Sequence, residues 1–179
     1  LPPERFLGGE ESCGLPFEDV ELRIEANGAL AVKTQRLALA SWKLDQPDIL
    51  LSIVDQNGWW CSGDHAVLEP ELRIKGRLDG AVHSGGVTVF PEQLEARLMA
   101  SDLSLDAVLL IGIEDETWGE RLIGLVSSDD EDIVDQLDLE TAHWLPAEKP
   151  LKWIKCTELE RNELGKWDRG LWKKWIAAN

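Results

Sequence analysis

The sequence predicts an α+β protein whose first part, up to about Arg77, is antiparallel β and whose remainder mixes strands with helices. Short alternating strands separated by Asn-Gly turns predict the first part. Two continuous apolar runs and an amphipathic C-terminal helix predict the second part, in which an antiparallel sheet is flanked by helices. The length of 179 residues accommodates one domain or two small ones.

The first part begins with residues 1–11, whose Gly8-Gly9-Glu10-Glu11 end predicts a loop. Beyond it, apolar and polar residues alternate with the period of two that is typical of a half-buried strand. The predicted strands are 20–24, 29–32 and 72–75, and the predicted turns are Asn27-Gly28 and 56–58, the second just before Trp59-Trp60.

The second part begins where the pattern changes, after Gly76. Pro91 suits the first turn of a helix, in which Leu94 and Leu98 form an apolar stripe and Glu95 belongs to the solvated face. The other predicted elements are buried strands at 107–113 and 121–127, a helix at 129–137, a strand at 151–156, and a final helix with Trp167, Leu171, Trp172 and Trp175 on one face.

The charge balance limits the partners of the chain, because 34 acidic residues oppose 18 basic ones. A net charge of −16 argues against nucleic acid, whose phosphates need clustered Lys and Arg, but a single nucleotide needs only one or two cations. From Lys149 onward basic residues outnumber acidic ones, which fits either a charge-mixed surface or a segment that approaches an anionic ligand. No apolar run is long enough to span a membrane.

Cysteine and histidine predict neither a disulfide framework nor a metal site. Three widely spaced cysteines without a Cys-x-x-Cys pair favour a reducing, cytoplasmic environment. The three histidines lack the spacing of metal ligands, so no metal-binding residue is predicted. The chain starts at Leu1 rather than Met, which suggests a processed or truncated start.

Five short motifs follow one another in a specific order, although each of them alone is common. They are Ser62-Gly63-Asp64 after the Trp pair, Gly76-Arg77-Leu78-Asp79, Ser84-Gly85-Gly86, the 91–95 segment Pro-Glu-Gln-Leu-Glu, and the 164–169 segment Leu-Gly-Lys-Trp-Asp-Arg.

In these motifs the sequence resembles the C-terminal portion of the adenylate-forming acyl- and aryl-CoA synthetases, over about residues 14–171. The resemblance implies a reaction in which a small-molecule carboxylic acid and ATP form an acyl-adenylate and pyrophosphate, and coenzyme A then takes the acyl group as a thioester, with Mg²⁺ as the metal. Among the branches of the family, the Ser-Gly-Gly loop is most similar to the o-succinylbenzoate–CoA ligases of menaquinone and phylloquinone biosynthesis.

The resemblance assigns residues 1–78 to the β-rich C-terminal part of a large adenylation domain and 79–179 to a small mobile α+β domain. Asp64 matches the aspartate that accepts hydrogen bonds from the ribose hydroxyls of ATP, a role that suits an acceptor-only carboxylate. Arg77 matches the arginine that contacts ribose and phosphates, and Asp79 matches the hinge between the domains. Gly85 and Gly86 match the loop that enters the site during thioester formation, although an ordinary hairpin turn would have the same sequence.

Lys166 matches the lysine that bridges the substrate carboxylate and the α-phosphate during adenylation. Its neighbours Gly165 and Arg169 complete the Gly-Lys-x-x-Arg pattern of the family. The sequence departs from the family at two places. Residues 158–161, before the lysine loop, lack the proline that relatives often have there. His83 stands where many relatives have Lys, so His83 receives no catalytic role.

The phosphate-binding loop of the family has no counterpart in this sequence. We therefore expect that an N-terminal adenylation domain is missing and that this chain alone is inactive. One alternative is a non-catalytic binding module, since nine Trp and no Tyr could provide stacking surfaces. Another is a regulatory subunit that retains the fold. The spacing of Trp153, Trp172 and Trp175 favours packing in the core.

Overall fold

The computed structural model describes residues 2–10 and 12–178, and the chain divides into two compact units, Leu1–Asp79 and Gly80–Asn179. No helix among the described residues is long and apolar enough to cross a membrane. The two units are described separately.

The first unit contains a four-stranded antiparallel sheet in the order β1-β2-β5-β6 and a separate β3-β4 hairpin. The predicted Asn27-Gly28 turn joins the first two strands: the Asn27 side chain accepts a hydrogen bond from Ala29 N at 3.1 Å, and Gly28 has φ +81°. The elements are helix α1 (Pro3–Leu7) and strands β1 (Glu21–Ile24), β2 (Ala29–Lys33), β3 (Ser41–Lys43), β4 (Gln46–Leu51), β5 (Trp60–Leu68) and β6 (Leu72–Arg77).

The N-terminal segment was expected to be a loop, and that prediction is wrong for α1. Arg5, within this helix, forms ion pairs with both Glu10 and Glu71, and Glu71 also accepts a hydrogen bond from Ser12 Oγ at 2.6 Å. A partner 66 residues away thus fixes the segment, which is information that no local sequence pattern contains.

The second unit is a five-stranded sheet built around the antiparallel β9-β10 pair. Strand β7 pairs with the start of β10, and β11 pairs with its end in parallel, so the sheet is antiparallel except at β11. A 3₁₀ turn (Leu78–Gly80) precedes the elements β7 (Val82–Ser84), β8 (Val87–Val89), α2 (Pro91–Met99), β9 (Ala107–Asp115), β10 (Gly119–Ser127), α3 (Ile133–Glu140), β11 (Trp153–Lys155) and α4 (Arg169–Ala178).

Apolar side chains cover both faces of this sheet, as the two continuous runs predict. Successive side chains of β9 point to opposite faces of the sheet, so Leu110 belongs to one apolar cluster and Leu109 to another. The first cluster packs against α2 and α3 and includes Trp153, and the second packs against α4 and includes Trp172. Both tryptophans are buried, which agrees with the predicted core role.

Two details of the helices differ from expectation. Glu95 was expected on the solvated face of α2 but is buried, because its carboxylate forms an ion pair with Arg169. Leu171 was placed on the apolar face of the last helix but is 59% exposed, since Trp172 takes the buried position.

Candidate functional site

The predicted ribose-binding aspartate and the predicted phosphate-binding arginine lie opposite each other in neighbouring strands. Asp64 in β5 is the register partner of Arg77 at the end of β6, and Arg77 Nη1 is 3.6 Å from Asp64 Oδ1. The Ser-Gly-Asp motif therefore lies within a strand, and the antiparallel pairing fixes the separation of the two side chains.

The guanidinium of Arg77 is held mainly by the predicted hinge residue. Its Nε and Nη2 donate to the two carboxylate oxygens of Asp79, at 3.1 and 2.9 Å, and its Nη1 donates to Ser62 O at 3.2 Å. The hydrogen bonds to Asp79 and the charge of that carboxylate raise the pKa of Arg77, and Asp64 contributes less. The structure thus brings Asp64, Arg77 and Asp79 into one cluster.

Gly63 provides the space in which this cluster forms. It has φ +77°, and a Cβ at this position would lie 3.3 Å from Arg77 Nη2, so a side chain would crowd the guanidinium. Ser62 Oγ accepts a hydrogen bond from Asp64 N at 3.1 Å and fixes the backbone on the other side. An acceptor carboxylate and a donor guanidinium side by side can bind a sugar diol and a phosphate oxygen.

In the second unit, the Ser-Gly-Gly motif forms the turn of the β7-β8 hairpin. Gly85 N donates to Trp118 O at 2.8 Å, and with φ +56° a Cβ on Gly85 would lie only 2.6 Å from Trp118 Cε3. Gly86 has φ +81° and has no neighbouring atom within 4 Å of its would-be Cβ. The first glycine is thus required by the indole beneath it, whereas the second faces open space.

Sequence reasoning missed Trp118 as a neighbour of this loop. Trp118 lies between the predicted buried strands 107–113 and 121–127, and Arg121 lies over its indole with Cζ 4.7 Å from the ring centroid. The signal was present, since a Trp-Gly turn between buried strands has to place its ring on a neighbouring element, but nothing local identified the Gly85 hairpin as that element.

Lys166 lies in the second unit, on an exposed loop that precedes α4. Its amide donates to the Asn162 side chain at 2.9 Å, and its carbonyl accepts from Asn162 N at 2.9 Å. Gly165, immediately before it, has φ +71° and completes the turn. Lys166 is exposed, and among the described residues no carboxylate lies within ion-pair distance of its ammonium.

Three residues beyond this lysine, Arg169 anchors the chain to the core. Its Nη1 donates to Glu95 Oε1 at 2.9 Å and to Leu110 O at 2.6 Å, and its Nη2 donates to Glu95 Oε2 and Glu92 Oε1, each at 3.1 Å. Leu110 N in turn donates to Glu95 Oε1 at 2.8 Å. The Glu95 carboxylate is therefore buried with all of its charge compensated by specific donors.

An open cleft of about 710 Å³ lies between the Lys166 loop and α4. Leu171, Trp172 and Trp175 form its apolar lining, while Arg161 and Lys174 are its basic residues. In the described part of the chain, no cluster of three or more His, Cys, Asp or Glu side chains has a geometry suited to a metal ion.

The chain is similar, over nearly its whole length, to the C-terminal portion of AMP-binding acyl- and aryl-CoA ligases, which confirms the resemblance carried by its motifs. No family model matches the chain.

Particular relatives include 2-succinylbenzoate–CoA ligase of Escherichia coli, 25% identical over 94% of this chain and 36% of the enzyme. Long-chain-fatty-acid–CoA ligase FadD13 of Mycobacterium tuberculosis is 29% identical over 83% of this chain and 30% of the enzyme. The fold matches o-succinylbenzoate CoA synthetase of Bacillus subtilis, solved in complex with its acyl-adenylate intermediate, with a TM-score of 0.78 and 22% identity over 97% of this chain and 37% of that one. The chain thus spans about a third of the length of these relatives.

Proposed function

We propose that this chain is the C-terminal part of an ATP-dependent carboxylic acid–CoA ligase, and that the acid is o-succinylbenzoate, for menaquinone biosynthesis. The observation that carries the proposal is the Asp64–Arg77–Asp79 cluster. A diol-binding carboxylate and a phosphate-binding guanidinium meet there at the last residue of the first unit. Similarity to 2-succinylbenzoate–CoA ligases over most of the chain supports the choice of acid.

In the first half-reaction, a carboxylate oxygen of the acid attacks the α-phosphorus of ATP, and pyrophosphate leaves. Asp64 accepts the ribose hydroxyls, and Arg77 donates to ribose and phosphate oxygens. Negative charge accumulates on the phosphoryl oxygens in the transition state, so a cation placed there lowers the barrier. We assign that role to Lys166, which occupies the lysine position of the Gly-Lys-x-x-Arg motif and lies on an exposed loop.

In the second half-reaction, the thiol of coenzyme A attacks the acyl carbonyl, and AMP leaves. Gly86 has space for a narrow ligand beside its backbone, and Gly85 fixes the loop on Trp118. Asp79 is the hinge, since it is the last residue of the first unit, and Gly80 next to it tolerates large changes of φ and ψ. Mg²⁺ compensates phosphate charge, and we assign it no ligand in this chain.

In this proposal, the Arg77 side chain serves both the hinge residue Asp79 and the nucleotide. Both oxygens of the Asp79 carboxylate accept from the Arg77 guanidinium, while its Nη1 donates to Ser62 O and lies 3.6 Å from Asp64 Oδ1. ATP phosphates therefore compete with Asp79 for Arg77. Replacing Asp79 by Asn should weaken this competition and lower the KM for ATP while it slows the change between half-reactions.

The test uses the complete protein that contains this chain behind its adenylation domain. We expect pyrophosphate release that depends on ATP and o-succinylbenzoate, with far lower rates for benzoate, malonate and long-chain fatty acids. Asp64→Ala should raise the KM for ATP at least tenfold, whereas the exposed Glu163→Ala should leave it unchanged. Absence of pyrophosphate release with every acid would reject the ligase, and release with a fatty acid alone would reject the substrate.

A non-catalytic Trp-rich binding module remains the competing function. Its stacking surfaces would have to be exposed: Trp144, Trp153 and Trp172 are buried, whereas Trp42 is 64% exposed. Isothermal titration of the 179-residue chain with oligosaccharides separates the two proposals: submicromolar binding of a sugar would favour the module. We expect no heat of binding.

A further inference from the structure

We propose that Asn162 is a positioning residue for Lys166, because it closes the loop that presents the lysine. This inference rests on the proposed function for the role of Lys166 in adenylation. The geometry of the loop, however, can be tested without any activity.

Four hydrogen bonds join Asn162 to Leu164, Gly165 and Lys166. Its side-chain oxygen accepts from Leu164 N at 3.1 Å and from Lys166 N at 2.9 Å. Its backbone N donates to Lys166 O at 2.9 Å, and its carbonyl accepts from Gly165 N at 2.8 Å. A short Asn side chain is suited to this role because it can accept from amides two and four residues further along the chain.

The rest of the molecule offers the loop little other support. Residues 162–166 are all exposed, and no atom lies within 4 Å of a would-be Cβ on Gly165. Within the described part of the chain, the hydrogen bond that reaches residues 162–166 from outside comes from Arg161, whose Nη1 donates to Gly165 O at 3.2 Å and whose guanidinium lies over Trp167. The path of the backbone through Lys166 is therefore set chiefly by Asn162.

The chain is fixed on both sides of the loop, which makes its internal closure decisive. Leu159 is buried in the cluster beneath α4, and Arg169 is bonded to Glu95 and to Leu110 O. With both ends anchored, loss of the Asn162 bonds leaves the segment attached but lets Lys166 sample several positions. A catalytic cation displaced by about 1 Å can cost on the order of 100-fold in rate.

The first test measures the loop itself, in the 179-residue chain labelled with ¹⁵N. In Asn162→Ala, we expect the amides of Leu164 and Lys166 to exchange with solvent about fivefold faster, the factor that corresponds to one net hydrogen bond. Asn162→Asp keeps the acceptor oxygen and should retain the slow exchange. The matched control is Glu163→Ala, on the same loop, because Glu163 forms no hydrogen bond or ion pair with the described residues. Unchanged exchange in Asn162→Ala would overturn the proposal.

The second test measures the two half-reactions of the complete ligase. Asn162→Ala should lower kcat for acyl-adenylate formation about 10- to 100-fold with little change in the KM for ATP, and it should spare thioester formation from supplied acyl-adenylate. Asn162→Asp should restore adenylation to within about threefold. An equal loss in both half-reactions would overturn the positioning role. Normal adenylation in Lys166→Ala would instead reject the proposed function of the lysine and leave the exchange result standing.

Discussion

Replacing Arg169 by Leu measures how much the buried Arg169–Glu95 ion pair, at the start of the C-terminal helix, contributes to the free energy of unfolding. The substitution keeps apolar volume but removes both donors to Glu95 and the donor to Leu110 O. The Glu95 carboxylate, whose side chain is only 9% exposed, then keeps a single hydrogen bond, from Leu110 N. Water cannot replace the lost partner fully at this exposure, so the charge is left uncompensated.

The expected loss of stability follows from the exposure of each partner. Breaking a buried pair by removing one member costs about 3–5 kcal/mol, and the 23% exposure of Arg169 places this pair at the lower end, near 3 kcal/mol. The Glu92 contact contributes about 0–1 kcal/mol, since that carboxylate is 44% exposed. Adding Glu95→Gln to Arg169→Leu should recover part of the loss, because no buried charge then remains.

The assay is urea unfolding followed by tryptophan fluorescence. Six of the nine tryptophans lie in the second unit, so the signal reports mainly on it. A loss of about 3 kcal/mol should lower the midpoint by about 1–3 M. The control is Glu92→Gln, which removes only the exposed contact and should change little. A shift for Arg169→Leu no larger than the shift for Glu92→Gln would refute the reasoning.

Two further perturbations have outcomes fixed by the structure. Gly85→Ala should destabilise the second unit by about 2 kcal/mol or more, because it combines a positive φ with a 2.6 Å approach to Trp118. Gly86→Ala should cost only about 1 kcal/mol, since only the positive φ opposes it. Equal losses of stability in thermal unfolding would contradict the indole contact. Hydrogen bonds from Arg5 lower the pKa of Glu71 from 4.5 to about 2, so its stabilising effect is complete above pH 4.5 and disappears as the pH falls through 2. Proteolysis of the N-terminal segment should therefore increase over that range, and Glu71→Gln should reduce the dependence, while Glu10, whose pKa Arg5 also lowers, contributes the remainder.

Local patterns predicted the elements whose cause is local. The hairpin at Asn27-Gly28 follows from the turn chemistry of two residues, and β9 and β10 follow from apolar runs that only a sheet covered on both faces can bury. The burial of Trp153 follows from its place in an alternating strand, and that of Trp172 from the helical spacing of the apolar residues. In these cases, the sequence window contains the whole physical argument.

The failures have long-range causes. Glu95 has the helical position of a solvated residue, and only Arg169, 74 positions later, makes its burial possible. Helix α1 depends in the same way on Glu71. Within the candidate site, the motifs supplied the residue types, but the strand register that sets Asp64 against Arg77, and the ring of Trp118 beneath Gly85, are tertiary facts.

The most direct test of the ligase account is to measure both half-reactions in the complete protein with Lys166→Ala. We expect acyl-adenylate formation to fall by at least about 100-fold, because the transition state loses a positioned cation, while thioester formation from supplied acyl-adenylate stays within about threefold of the unsubstituted enzyme. Glu163→Ala, on the same loop, should leave both rates unchanged. An equal loss of both half-reactions, or no loss in either, would contradict the account.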